Sequence, residues 1–129
     1  MRLKKNIKQF DETFNEMYDN LHPCRYNFIA DTKEKKVHCG YIAQDIESNL
    51  NTLFPNQNFA LLHKRQKENG DYYYGLEYIE FIALNTWQIQ LLKPRMTAAE
   101  EEIILLKAEI SELRQAIENL QNGEKSDII

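Results

Sequence analysis

The chain has 129 residues, is 43% hydrophobic, and sets 20 acidic against 16 basic side chains for a formal net charge of −4. That size supports one core with a helical extension, and the acidic balance argues against a nucleic-acid partner, with the start RLKKNIK as a local basic exception. No apolar run approaches the roughly 18 residues of a membrane span, no signal-peptide core follows the basic start, and two cysteines, Cys24 and Cys39, are too few for a disulfide framework. The expectation is a protein made in a reducing cytoplasm, with no membrane partner and with both thiols packed as core residues.

The opening segment reads as a site. Crowding by Arg2, Lys5 and Lys8 favours the neutral amine of Lys4, and a neutral lysine can act as a general base. Such a base needs a nucleophile, yet the earliest serine is Ser48. If Lys4 is a base, its serine lies upstream of Met1.

Phe10, Phe14, Met17, Tyr18 and Leu21 recur at helical spacing before the stop at His22-Pro23, so a short amphipathic helix is expected there. Cys24, Tyr26, Phe28 and Ala30 alternate with Arg25, Asn27 and Ile29. The charged turn DTKEKK and the run VHCGYIA follow, which together predict a hairpin. Ile42, Ile46, Leu50 and Leu53 return to a helical period that Phe54-Pro55 ends. A second hairpin is predicted over residues 59–76, with Asn69-Gly70-Asp71 as its turn. Its charged tip is either an ordinary surface turn or a protrusion reaching another chain.

From Leu76 the chain turns helical. Pro94 removes a backbone donor, and Thr97 with Glu100 forms a capping-box signature, so two helices are expected, the second running from Thr97 to about Leu120. Gly123 is read as its stop and EKSDII as a frayed tail. The expected domains are 1–95 as the globular part, 96–122 as a coiled-coil helix and 123–129 as a flexible tail.

Through both helices runs a heptad stripe: Ile82, Asn85, Ile89, Leu92, Met96, Ala99, Ile103, Leu106, Ile110, Leu113, Ile117 and Leu120. One small monomer cannot bury so long a seam. With Ile103, Ile110 and Ile117 at position a, Glu102 and Glu109 fall at g, and Lys107 and Arg114 at e. A parallel pairing sets Glu102 against Lys107 and Glu109 against Arg114, whereas an antiparallel one opposes like charges. Parallel homo-oligomerisation follows. Isoleucine at a with leucine at d taken alone favours a dimer. An amphipathic helix lying on its own domain is the competing account, which Ile104 and Leu105 favour by widening the apolar face. Asn85 on the seam is either a register-selecting hydrogen bonder or a tolerated polar residue.

Other chemistry is sparse. His22, Cys24, His38 and Cys39 have metal-ligand identities but poor spacing, which favours plain packing over a zinc-dependent enzyme. There is no Gly-rich phosphate loop, HExxH or GxSxG. Asp45 and Glu47 point in different directions on a helix. No cofactor and no metal site are expected.

RLKKNIK at the start, the strand pair ending in CGYIAQDIE, Pro55, LEYIEFIALNTWQIQLL and the closing coiled coil together resemble the self-cleaving C-terminal intramolecular chaperone domain of phage tail spikes and tail fibres, of the endosialidase type. The resemblance covers nearly the whole chain. It implies a homotrimer that aligns three copies of the upstream fibre or spike portion of the same polypeptide and is then released by a serine-lysine dyad. The family's opening resembles S-D-x-R-L-K. Arg2, Leu3 and Lys4 match R-L-K, Met1 takes the x position, and the serine and aspartate would lie just before it. The chain thus looks like the released product, inactive by itself, with Lys4 as the residue matching the base. The implied setting is the host cytoplasm during virion assembly. The alternative is a passive trimerisation or adhesion module that is never cleaved. The combined expectation is an α+β fold: a small domain of hairpins and short helices, then a long helix in a parallel trimeric coiled coil.

Overall fold

Asp11 opens the first helix by accepting a hydrogen bond from the amide of Thr13 at 3.1 Å, the N-cap of α1, Glu12–Asp19. The computed structural model describes residues 3–31, 33 and 35–127, apart from the side chains of 125–127. After α1 come β1 (Cys24–Tyr26), β2 (His38–Gly40), α2 (Ala43–Leu53), β3 (Leu62–Gln66), β4 (Tyr72–Leu76) and α3 (Glu80–Asp127). This is the expected α+β architecture of small hairpins and short helices before a long C-terminal helix. The chain divides into two compact units, Met1–Gln88 and Ile89–Ile129.

In the first unit, Met17 from α1, Ile46 and Leu50 from α2, and Phe81 and Leu84 from α3 join Phe54 and Leu61 in a buried core. Ile46 and Leu50 lie one turn apart on the same face of α2, which is why that face is interior, and Phe54, the residue that caps the helix, is buried as well. Phe14 packs against Phe54 with ring centroids 4.7 Å apart, and Phe54 against Phe59 at 5.0 Å. Polar ties close the periphery: Asn49 donates to the carbonyl of Met17 at 2.9 Å and Gln88 to the side-chain oxygen of Asn15 at 2.9 Å.

Both hairpins are antiparallel and two-stranded. In the second, Gly70 takes a φ of 89° and Asn69 accepts from the amide of Asp71 at 3.1 Å, so the Asn-Gly-Asp turn forms as its sequence directs. In the first, Asn27 donates to the carbonyl of Lys36 at 2.6 Å and braces the connection. Its register pairs Cys24 with Gly40, Arg25 with Cys39 and Tyr26 with His38. Directly opposed residues share a sheet face, so Cys24, Tyr26 and His38 face inward while Arg25 and Cys39 are exposed. The expectation that both thiols are core residues is thus corrected: Cys39 is exposed, and Cys24 is half-buried and lies outside the core cluster. Both thiols are free.

The expected break at Pro94 is not observed. α3 is one helix of 48 residues with Pro94 inside it, and Thr97, instead of capping a new helix, donates its hydroxyl back to the carbonyl of Lys93 at 3.2 Å. Proline removes one amide and leaves the carbonyl four residues earlier, that of Gln90, without its helical donor. Residues 90 and 94 are both exposed, so water can serve that carbonyl, and the flanking leucines, Lys93, Arg95 and Met96 are good helix formers. Gly123 does not stop the helix either, which continues to Asp127. Among the described residues no helix is long and apolar enough to cross a membrane.

Candidate functional site

α3 carries two apolar faces. Successive residues turn by about 100° around a helix, so Phe81 and Leu84 point into the core of the first unit, each 3% exposed, while Ile82, next in sequence to Phe81, turns outward at 61%. The outward face is the heptad stripe. Ile89, Leu92, Met96, Ile103, Leu106, Ile110, Leu113, Ile117 and Leu120 are all exposed, between 49% and 70%, and Asn85 is half-buried. Within the first unit the buried face of α3 is that of Phe81 and Leu84, opposite the one on which Ile82 lies.

The flanking charges are placed as the heptad requires. Glu102 and Glu109 border one side of the stripe, Lys107 and Arg114 the other, all exposed. Ile104 and Leu105, at b and c, are exposed at 66% and 65% and add an apolar shoulder outside the a/d seam.

Lys4 lies ahead of α1 in a stretch without regular structure and is exposed, as are Leu3, Lys5 and Lys8. Asn6 sits beside it with φ at 53°, a left-handed conformation that asparagine tolerates. Arg2 and Met1, the other members of the R-L-K opening and its x position, lie outside the described residues.

The hairpin register keeps the His/Cys set apart. Cys24 and His38 share the inward face, Cys39 is on the outward one, and the His38 ring is engaged by Tyr26, stacked at 5.5 Å, and by Asp31, whose carboxylate is 3.3 Å from Nε2. No group of three or more histidine, cysteine or acidic side chains capable of holding a metal occurs among the described residues.

Two features escaped the reading of the sequence. Glu47, within the IAQDIE motif, binds Lys64 at 3.0 Å and accepts from the Tyr74 hydroxyl at 3.3 Å, joining α2 to the second hairpin. The hydrogen bond from Lys64 to Glu47 raises the lysine's pKa above its ordinary value. Tyr78 lies across Gly40, where a Cβ would collide with its hydroxyl oxygen, and that same oxygen accepts from the amide of Tyr41 at 3.2 Å. Glycine in the CGYIAQDIE motif is therefore a close-approach residue. Burial, with the neighbouring Tyr18 and Tyr78, pushes the Tyr41 phenol above its ordinary value.

Residues 1–56 match the model of the family described as the chaperone of endosialidase. The matched stretch contains α1, the first hairpin and α2, and with them both RLKKNI and GYIAQDIE. On that stretch the resemblance to the intramolecular chaperone domain of endosialidase type is borne out. No curated protein matches the chain.

Proposed function

We propose that this chain is an intramolecular chaperone that trimerises through α3 and aligns the upstream fibre or spike portion of the same polypeptide while it folds, in a host cytoplasm during virion assembly. The family match over residues 1–56 supports the chaperone role. The observation that carries the assembly is the heptad stripe left uncovered from Ile82 to Leu120, with opposite charges at g and e on its two sides. Parallel helices would hold three chain ends together, replacing a slow encounter of separate chains by a high local concentration and setting a common register. Three strands follow from the family resemblance, against the local preference of the heptads for two.

Release is the second part of the proposal. Lys4, the residue matching the base of the serine-lysine dyad, would take the proton of a serine hydroxyl five positions before it; that oxygen would attack a neighbouring peptide carbonyl and expel the amine, which takes the proton back from the lysine, and water would then hydrolyse the resulting ester to free the acid and regenerate the serine. Removal of the template after folding would leave the fibre kinetically trapped. Two measurements test the reading: the molar mass of this chain in solution, expected at three times the single-chain value, and the processing of the parent polypeptide. Lys4→Ala is expected to leave that parent assembled and uncut. A wild-type parent that assembles and is never cut would favour a passive trimerisation module.

A further inference from the structure

A cleft of about 890 Å³ in the first unit is lined by every tyrosine of the chain except Tyr18. All five residues of β4 line it and none of β3 does, so it opens along the side of β4 that faces away from its partner strand. The cleft also takes in the stretch from Tyr26 to Asp31, where the chain leaves β1. No strand pairs with β4 on the cleft side, since its sheet has two strands only.

Two backbone bonds fix which groups that edge offers. The amide of Glu77 donates to the carbonyl of Leu61 at 2.8 Å, and that of Lys67 to the carbonyl of Asp71 at 2.7 Å. Antiparallel strands alternate between opposed pairs that exchange such bonds and pairs that do not. In this register the bonded pairs are therefore His63 with Gly75 and Arg65 with Tyr73. Tyr72, Tyr74 and Leu76 turn their N–H and C=O groups the other way, toward the cleft, and no hydrogen bond to these groups occurs among the described residues. Donors and acceptors thus recur at every second residue, about 7 Å apart, the repeat of an extended backbone. Gly75 lies among them without a side chain, and a Cβ there would meet only the Cβ of His63 at 3.7 Å, which leaves room for a second backbone to approach. Around this edge Phe28, Tyr72 and Tyr73 stay 52%, 46% and 63% exposed.

The ligand that matches such an edge is a polypeptide strand, because a peptide backbone presents the reciprocal groups at the same repeat. Resting on the chaperone reading above, we propose that the free edge of β4 takes up an extended, apolar segment of the upstream portion of the same polypeptide before that portion has folded. Tethering supplies the segment at high local concentration. Its alternate side chains lie against the exposed aromatic rings, and main-chain bonds make the contact tolerant of sequence. The segment leaves once its own backbone groups find partners in the finished fold, so a folded portion is not held.

Short peptides tiling the parent's upstream portion, titrated into this chain and followed by residue-resolved amide hydrogen exchange, test the assignment. Binding is expected to slow exchange severalfold at Tyr72, Tyr74 and Leu76 and to leave Tyr73 and Gly75, already bonded to β3, unchanged. Of the two alternating patterns of backbone N-methylation of the tightest peptide, one should weaken binding by about tenfold or more, and the other, whose methyl groups face away from β4, should leave it as it was. Equal effects of the two patterns, or binding without alternating protection, reduce the contact to side chains and overturn the proposal. Protection of the three amides with no peptide added puts a second copy on the edge and overturns it as well. A trimeric chain whose parent is cut as expected, but which binds none of the peptides, loses the strand site and keeps the chaperone reading. A chain of single-chain mass that binds with the alternating pattern keeps the site while the trimer falls.

Discussion

Replacing Ile110 by alanine tests whether the stripe is what holds the copies together. In the single chain Ile110 keeps 49% of its surface, so half of its burial is still to be gained. Full burial of an isoleucine side chain is worth about 1.5–3 kcal/mol, and covering the remaining half adds about 1 kcal/mol per chain. Truncation in three chains at once forfeits about 3 kcal/mol, which is roughly two decades in the trimer dissociation constant. Sedimentation equilibrium over a dilution series reads this directly, with far-UV circular dichroism checking that the chain still folds. The control is Ile104→Ala, the same change of side chain at an exposed position outside the seam, expected to leave association unaltered. Equal shifts from the two variants would refute the reasoning, because the apolar character of α3 in general would then drive association instead of the a/d stripe. An unchanged equilibrium for Ile110→Ala would refute it as well.

Gly40→Ala should destabilise the first unit by about 1–3 kcal/mol, since its methyl group enters the space of the Tyr78 hydroxyl; thermal unfolding measures the loss, and Tyr78→Phe in the same chain should recover part of it. Pro94→Ala restores a backbone donor in the middle of α3 and should stabilise the helix by up to about 3 kcal/mol, seen as a higher unfolding temperature. In alkali, Tyr41, whose raised pKa means that the folded state holds its proton longer than the unfolded state, contributes stability that is complete below the ordinary tyrosine value of about 10 and is lost as pH climbs through the folded value. Unfolding measured from pH 9 to 12, about a unit or two on either side of that value, should therefore show a decline that Tyr41→Phe reduces, and an unaltered slope would count against it.

Much of this protein was open to reading because its signals are local and periodic. One apolar residue per turn defines α1 and α2, an Asn-Gly-Asp turn between β-rich runs defines the second hairpin, and the heptad with its charge pattern defines the exposed face of α3. Each signal lies within a few residues of the structure it directs. The RLKKNI and GYIAQDIE motifs were legible for the same reason, and both fall inside the stretch that matches the chaperone family.

What only the tertiary structure decided depends on which residues meet across long separations. Strand register put Cys39 on the exposed face of the first hairpin and Cys24 on the half-buried one, although a two-residue alternation allows either thiol the more covered face. The closeness of Gly40 to Tyr78, and the tie from Glu47 to Lys64, join segments whose spacing in the chain carries no trace of the contact. Pro94 reads as a break because propensity prices a lost donor, but a single exposed orphan carbonyl between good helix formers was too small a cost to interrupt α3. The cleft draws its tyrosines from several separate segments, and no window of sequence contains it. Periodicity along the chain sets which way each segment faces, whereas packing alone selects what it faces.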